Sequence, residues 1–208
     1  MSDLMTDRAA LKPDRSRLFD TAAAQGGYFT SEQAQDCGFS RALLSHHAKT
    51  GGFIRVRRGL YRFREYPPAP REQVLAASLA LGKDAVVVSH DSALEILNLS
   101  DVVPDSVHLT VPRSKRNLPS IPGVKIHTSS RAIRPEDVVI RDGMRVTSAA
   151  RSILDAAEAG TSPEQIELAV AQAVERGLTT RASLREDAAD RGRRVKDLIS
   201  RALPEPRK

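Results

Sequence analysis

The run Tyr66-Pro67-Pro68-Ala69-Pro70 constrains this chain more than any other feature. Each proline lacks a backbone N–H and holds φ near the extended region, so neither a helix nor a central strand passes through it. A chain of 208 residues cut at that point leaves a small N-terminal part and a remainder long enough for a core of its own. The predicted organisation is a domain over 1–66, a linker over 67–70 and a second domain over 71–208.

The N-terminal part reads as three helices and a hairpin. Leu18, Phe19, Ala22 and Ala23 fall on one face of a helix that starts near Asp14 or Ser16 and ends at Gly26-Gly27. Thr30-Ser31-Glu32-Gln33 is a capping box opening a short second helix, which buries Ala34 and Cys37 and stops at Gly38. Ser40 caps a third helix that runs to about Thr50 and closes at Gly51-Gly52. Two short helices joined at Gly38-Phe39 make a helix-turn-helix pattern. At 100° per residue, Leu43, Leu44, His47 and Ala48 share the inner arc of the third helix, so His47 is a core histidine. Arg41, Ser45, His46 and Lys49 share the outer arc, with Ser40 at its N-terminal end. That face has the polar, basic character of a helix that enters a major groove.

Phe53-Ile54-Arg55-Val56-Arg57 alternates with period two, Arg58-Gly59 reads as a two-residue turn, and Leu60-Tyr61-Arg62-Phe63 is a second strand. The turn predicts a register in which Ile54 opposes Phe63 and Val56 opposes Tyr61 on one face. The other face then pairs Arg55 with Arg62 and Arg57 with Leu60. Setting Arg55 against Arg62 is unfavourable in isolation, which suggests phosphates between them. Three helices and a basic hairpin together predict a winged helix-turn-helix, with Arg55, Arg57, Arg58 and Arg62 holding phosphates.

Charge bears on the same region. The formal total is +6; residues 1–66 carry +4, residues 67–160 are neutral and residues 161–208 carry +2. Residues 55–64 hold five arginines, which is either a solvated strand surface or the footprint of a polyanion site. On charge alone the two readings stand level.

The second part is predicted to be α+β. A helix over Arg71–Leu81 is followed by an apolar stretch at Ala85–Val88 and a helix capped by Ser89. Strands are expected at Ser106–Val111, Val124–Thr128, Val138–Ile140 and Met144–Thr147. Ser148 starts a helix through Ala159 whose inner face is Ala150, Ile153, Leu154 and Ala157. Ser162-Pro163-Glu164-Gln165 reads as a second capping box, with Ile166, Ala169, Val170 and Ala173 inside. Helices near Arg181–Ala189 and around Val195–Ala202 end the chain. The fold class is therefore α+β: a winged helix-turn-helix, then a domain with a small sheet and a helical C-terminal end.

No catalytic or cofactor pattern emerges. There is no Gly-x-Ser-x-Gly elbow and no G-x-x-x-x-G-K loop. His108 and His127 sit on successive strand candidates without a third ligand at recognisable spacing, so the expectation is no metal, no cofactor and no enzyme. Cys37 is the one cysteine, which excludes an internal disulfide and suggests a reducing compartment. Met1–Ser16, with Asp3, Asp7, Arg8, Lys12 and Asp14, lacks the apolar segment of a secretory signal, and no stretch is long enough to span a membrane. A cytoplasmic protein without a membrane partner is expected.

Several segments together resemble the AbiEi-type antitoxins of bacterial type IV toxin–antitoxin systems. They are Gly27-Tyr28-Phe29-Thr30 through Ala34, Gly38-Phe39-Ser40, Arg55-Val56-Arg57-Arg58-Gly59-Leu60-Tyr61, Ser89-His90-Asp91-Ser92-Ala93-Leu94, the Val107–Pro112 strand, and Val146 through Asp155. The resemblance implies a winged-helix autorepressor that binds inverted repeats in double-stranded DNA at its own promoter. It also implies a C-terminal domain that counters a nucleotidyltransferase toxin functionally, with or without a direct complex. The DNA-binding residues expected are Ser40, Arg41, Ser45, His46, Lys49, Arg55, Arg57, Arg58 and Arg62. Two other readings compete: a winged helix that binds a protein or RNA partner, and an unrecognised nuclease.

Overall fold

The computed structural model describes residues 12–68, 70–129 and 131–204. Asp3, Asp7 and Arg8 of the charged N-terminal segment, Ala69 of the proline run, and the last four residues of the expected second domain lie outside them. The chain divides into two compact units, Met1–Ala80 and Leu81–Lys208.

In the first unit the elements are α1 (Arg15–Ala23), β1 (Tyr28–Thr30), α2 (Ser31–Asp36), α3 (Arg41–Thr50), β2 (Phe53–Arg57), β3 (Leu60–Phe63) and α4 (Glu72–Leu81). Local chemistry sets the helix starts. The Asp14 carboxylate accepts from the Arg17 N–H, and Ser40 Oγ accepts from the Leu43 N–H. Thr30 and Gln33 form the full reciprocal capping box. The sheet order is β1-β3-β2, all antiparallel. Strand β1 was not foreseen, being too short to show a period.

The hairpin register differs from the expected one. Phe53 pairs with Phe63, Ile54 with Arg62 and Arg55 with Tyr61; the ladder then slips at Val56, so that Arg57 meets Leu60. The expected two-residue turn is kept, and the bulge absorbs one residue. Its reason is the core: Phe29, Phe53 and Phe63 are fully buried, with ring centroids 4.9–5.2 Å apart. An unbulged ladder would turn Phe53 away from this cluster. Burying such a ring contributes about 3 kcal/mol, enough to pin the register. As a result Arg55 and Arg62 do not oppose one another, and the like-charge argument for phosphates between them falls.

Gly27, at φ +85°, closes the core from another side. A Cβ there would lie 2.4 Å from the Tyr66 ring, whose hydroxyl donates to the Ala23 carbonyl. The residue before the prolines is therefore seated on this unit.

In the second unit come β4 (Val87–Val88), α5 (His90–Leu97), β5 (Val107–Pro112), β6 (Val124–Ser129), β7 (Val138–Arg141) and β8 (Met144–Thr147). Helices α6 (Ala149–Ala159), α7 (Pro163–Glu175), α8 (Arg181–Ala189) and α9 (Arg193–Ala202) follow. The sheet order is β6-β5-β4-β8-β7, with β5/β6 and β4/β8 parallel and β4/β5 and β7/β8 antiparallel. The two-residue β4 is thus the central strand.

Three expected caps differ in detail. Ser89, Ser148 and Ser162 occupy N-cap positions but make no side-chain cap bond. Gln165 accepts from the Asp101 N–H at 3.0 Å, so the second capping box does not form. Helix α6 is buried nearly all round, including Arg151, Ser152 and Asp155, while Ala150 is only half-buried. Its expected single apolar face therefore covers only part of its buried surface.

Candidate functional site

Among the described residues, polar chemistry is concentrated at two places, one in each unit. In the first, α3 buries Leu44 and half-buries Leu43, His47 and Ala48, as the wheel predicts. The His47 ring packs 5.0 Å from Phe53 and 5.9 Å from Phe39, and burial, then the neighbouring His46, pushes its pKa down. Ser40, Arg41, Ser45, His46 and Lys49 are all exposed.

The hairpin arginines divide into three kinds. Arg55 and Arg58 are exposed, Arg58 at the turn. Arg57 is half-buried, with its Nε shielded and without a hydrogen-bond partner. Arg62 turns inward: only 12% of its side chain is exposed, it meets Glu72 at 3.2 Å, donates to the Tyr66 carbonyl at 2.8 Å, and lies 5.7 Å over the Tyr28 ring. It braces the hairpin. Arg64, which the sequence did not single out as a site residue, donates from Nε to the Gly51 carbonyl at 2.6 Å and so ties the end of α3 to β3. At the other end of the hairpin, the Ser31 N–H donates to the Gly59 carbonyl at 2.8 Å.

The second place is a cleft of about 240 Å³ in the second unit, bordered by His90, Thr110, His127, Ser129, Arg131, Arg151, Asp155, Glu158 and Arg191. Beneath it runs a chain of alternating charge. Arg151 meets Asp155 at 2.8 Å and Asp137 at 3.5 Å, and Arg191 meets Asp155 at 2.6 Å and Glu158 at 2.8 Å. Arg131 closes on Glu158 at 3.2 Å. Arg151, Asp155, Arg191 and Asp137 are each under a tenth exposed. For Asp137, burial pushes the pKa up, but the Arg134 backbone N–H and guanidinium outweigh it and hold the carboxyl below its usual range.

His108 and His127 do meet, as their strands suggested. The Thr110–His127 pairing of β5 and β6 sets both rings on one face, with His127 Nε2 and His108 Nδ1 3.2 Å apart. A third ring, missed by sequence spacing, joins them. His90, the first residue of α5, has φ +53° and stacks on His127 at 3.6 Å. Ser89 explains its own missing cap bond: its Oγ lies 2.8 Å from His90 Nδ1 and accepts from Thr110 Oγ1 at 2.7 Å. One ring nitrogen from each of the three histidines lies within 4.8 Å of the others. Burial first, then the adjacent imidazoles, depresses His90 to about 2, while burial and His108 depress His127 to about 4. All three rings are therefore neutral near pH 7. The sequence signal for Arg151 and Asp155 is an i, i+4 charge pair within a largely Ala, Ile and Leu helix.

By class, this is a mixed α+β protein whose N-terminal helix–strand region fits a winged helix. Residues 16–64, the span from α1 to the end of the hairpin, match the family described as transcriptional regulator, AbiEi antitoxin. The resemblance read from the sequence is thus supported independently over that span. No curated protein matches the chain in sequence. Among solved structures it is similar to the RV2827C protein from Mycobacterium tuberculosis, with a TM-score of 0.60 at 15% identity over 90% of this chain and 75% of that one. At that identity the likeness establishes a shared fold. Among the described residues, no helix is long and apolar enough to cross a membrane.

Proposed function

We propose that the protein is the antitoxin of an AbiE-like type IV toxin–antitoxin system and the DNA-binding autorepressor of its operon. One observation carries this reading: the span that matches the AbiEi regulator family is the span that exposes a polar helix face beside an arginine-bearing hairpin. In this reading, residues 1–66 bind double-stranded DNA at the promoter, 67–70 link, and 71–208 serve the antitoxin role against a nucleotidyltransferase toxin in the cytoplasm. Arg41, Ser45, His46 and Lys49 read base edges, with Ser40 beside them at the helix start. Arg55, Arg57 and Arg58 hold phosphates, and Arg62 supports them by bracing the strand from which they rise.

The test is fluorescence anisotropy with the protein's own promoter fragment and a scrambled duplex across a salt series. Tight binding to the promoter and weak binding to the scramble is the expected result. Equal affinity for the two at physiological salt would overturn the repressor reading. Preference for structured RNA, or binding that hardly changes with salt, would favour an RNA- or protein-binding module instead.

A further inference from the structure

We propose that His90, His108 and His127 form a binding site for a divalent transition-metal ion of the zinc class. The argument starts from donor chemistry. Neutral imidazole is a borderline ligand that suits Zn²⁺, Co²⁺ and Ni²⁺, and three imidazoles with an open fourth position make a familiar tetrahedral set. A tetrahedral ion with bonds of about 2.0–2.1 Å holds its nitrogens about 3.4 Å apart. His127 Nε2 and His108 Nδ1 already stand at 3.2 Å, and one ring nitrogen from each of the three histidines lies within 4.8 Å of the others. The His90 ring stacks on His127 at 3.6 Å, so ligation by all three requires His90 to rotate out of that stack toward the other two nitrogens.

The surroundings of the rings fit that role. Ser89 Oγ engages His90 Nδ1 and is itself held by Thr110, which leaves Nε2 as the ligating nitrogen and orients the ring through a hydroxyl relay. The rings' side-chain hydrogen bonds run to Ser89 and between His108 and His127, so ligation would replace the His108–His127 bond without breaking an ion pair. The three ligands come from the start of α5, from β5 and from β6, and an ion bound to all three would clamp them together. His90 and His127 border the cleft, which supplies an entry path and has Arg131 and Arg151 among its other lining residues. An exchangeable water or a small anion would occupy the fourth coordination position.

The experiment uses the full-length, tag-free protein after dialysis against a chelator. Zn²⁺ is titrated in competition with a chromogenic chelator, and Co²⁺ binding is followed by visible absorption. One equivalent per chain, with a tetrahedral Co²⁺ spectrum, is the expected result. His127→Gln, which keeps volume at a half-buried position, should weaken binding by at least about 100-fold, and Ser89→Ala by about 10- to 100-fold. Circular dichroism checks that each variant folds. The wild-type titration stands alone if His127→Gln fails that check: no competition with the chelator, or no tetrahedral spectrum, overturns the site. Equal Zn²⁺ affinity in wild type and folded His127→Gln overturns it as well.

Discussion

The two units use the same charged residue types in opposite ways. In the first, the aromatic core of Phe29, Phe53 and Phe63 buries no ion pair, the half-exposed Arg15 lies over the Phe53 and Phe63 rings, and Arg41, Lys49, Arg55 and Arg58 stand exposed. In the second, Arg151 and Arg191 are turned inward and neutralised by Asp155, with Asp137 and Glu158 at the ends of the chain. An arginine neutralised inside the fold is a strut, because its charge is already spent on a carboxylate. An exposed arginine outside such a network keeps its field for a partner outside the molecule. Arg62 follows the second unit's pattern although it belongs to the first.

The sharpest way to break this contrast is to remove the carboxylate at the centre of the buried network. Asp155→Ala leaves Arg151 and Arg191 buried with one partner fewer each, and is expected to cost about 3–5 kcal/mol. Glu65→Ala, which removes the half-exposed partner of Arg15 in the first unit, is expected to cost below about 1 kcal/mol. Urea denaturation of the two variants checks both. Similar losses would show that burial does not separate the two kinds of ion pair.

Acid provides the next largest effect. His90 has a folded pKa of about 2 against an ordinary value of 6.5, so below 6.5 the unfolded chain takes up a proton that the folded chain refuses. Stability is therefore complete above about pH 7 and falls as pH drops. His90 alone accounts for a loss of about 3 kcal/mol by pH 4, and His127, depressed to about 4, adds to the loss over the same range. His47 is also lowered by burial, but it lies at the edge of its core and contributes in the same direction by less. Denaturation of chelator-treated protein from pH 7 to pH 4 should show this slope, and His90→Ala should make it shallower, with His127 supplying the remainder. A flat wild-type profile would show that the rings are not held neutral by burial.

What was legible in the sequence follows the same division. The first unit is built from local signals: Asp14, Thr30 and Ser40 cap helices, Gly51 closes one, and the inner and outer faces of α3 fall where a 100° wheel puts them. Its misread feature, the Val56 bulge, is decided by a non-local demand, the burial of Phe53 against Phe29 and Phe63. The second unit depends on such demands throughout. Ser89 reads as a cap but serves His90, and Gln165 reads as half of a capping box but serves Asp101. Arg151 and Asp155 lie on a helix whose apolar period draws attention elsewhere. His90, His108 and His127 converge only because β5 and β6 run parallel, with α5 starting beside them. No spacing rule in one chain states that.

The smallest effects discriminate most finely, because they separate two arginines of one hairpin. Arg62→Ala removes the contacts to Glu72, the Tyr66 carbonyl and the Tyr28 ring, and should lower stability by about 1–2 kcal/mol. If the inward-turned side chain contacts no phosphate, DNA binding by the folded fraction should keep its salt slope. Arg58 is exposed at the turn, so Arg58→Ala should change stability by less than about 0.5 kcal/mol. If Arg58 neutralises one phosphate, the plot of log K against log salt becomes shallower by about one unit, equally on promoter and scrambled duplex. Anisotropy and urea denaturation on the same two variants give four numbers. The strut-and-footprint distinction survives only if the stability loss falls on Arg62 and the slope change on Arg58; the reverse assignment would make the buried arginine the phosphate ligand and the turn arginine an ordinary solvated side chain.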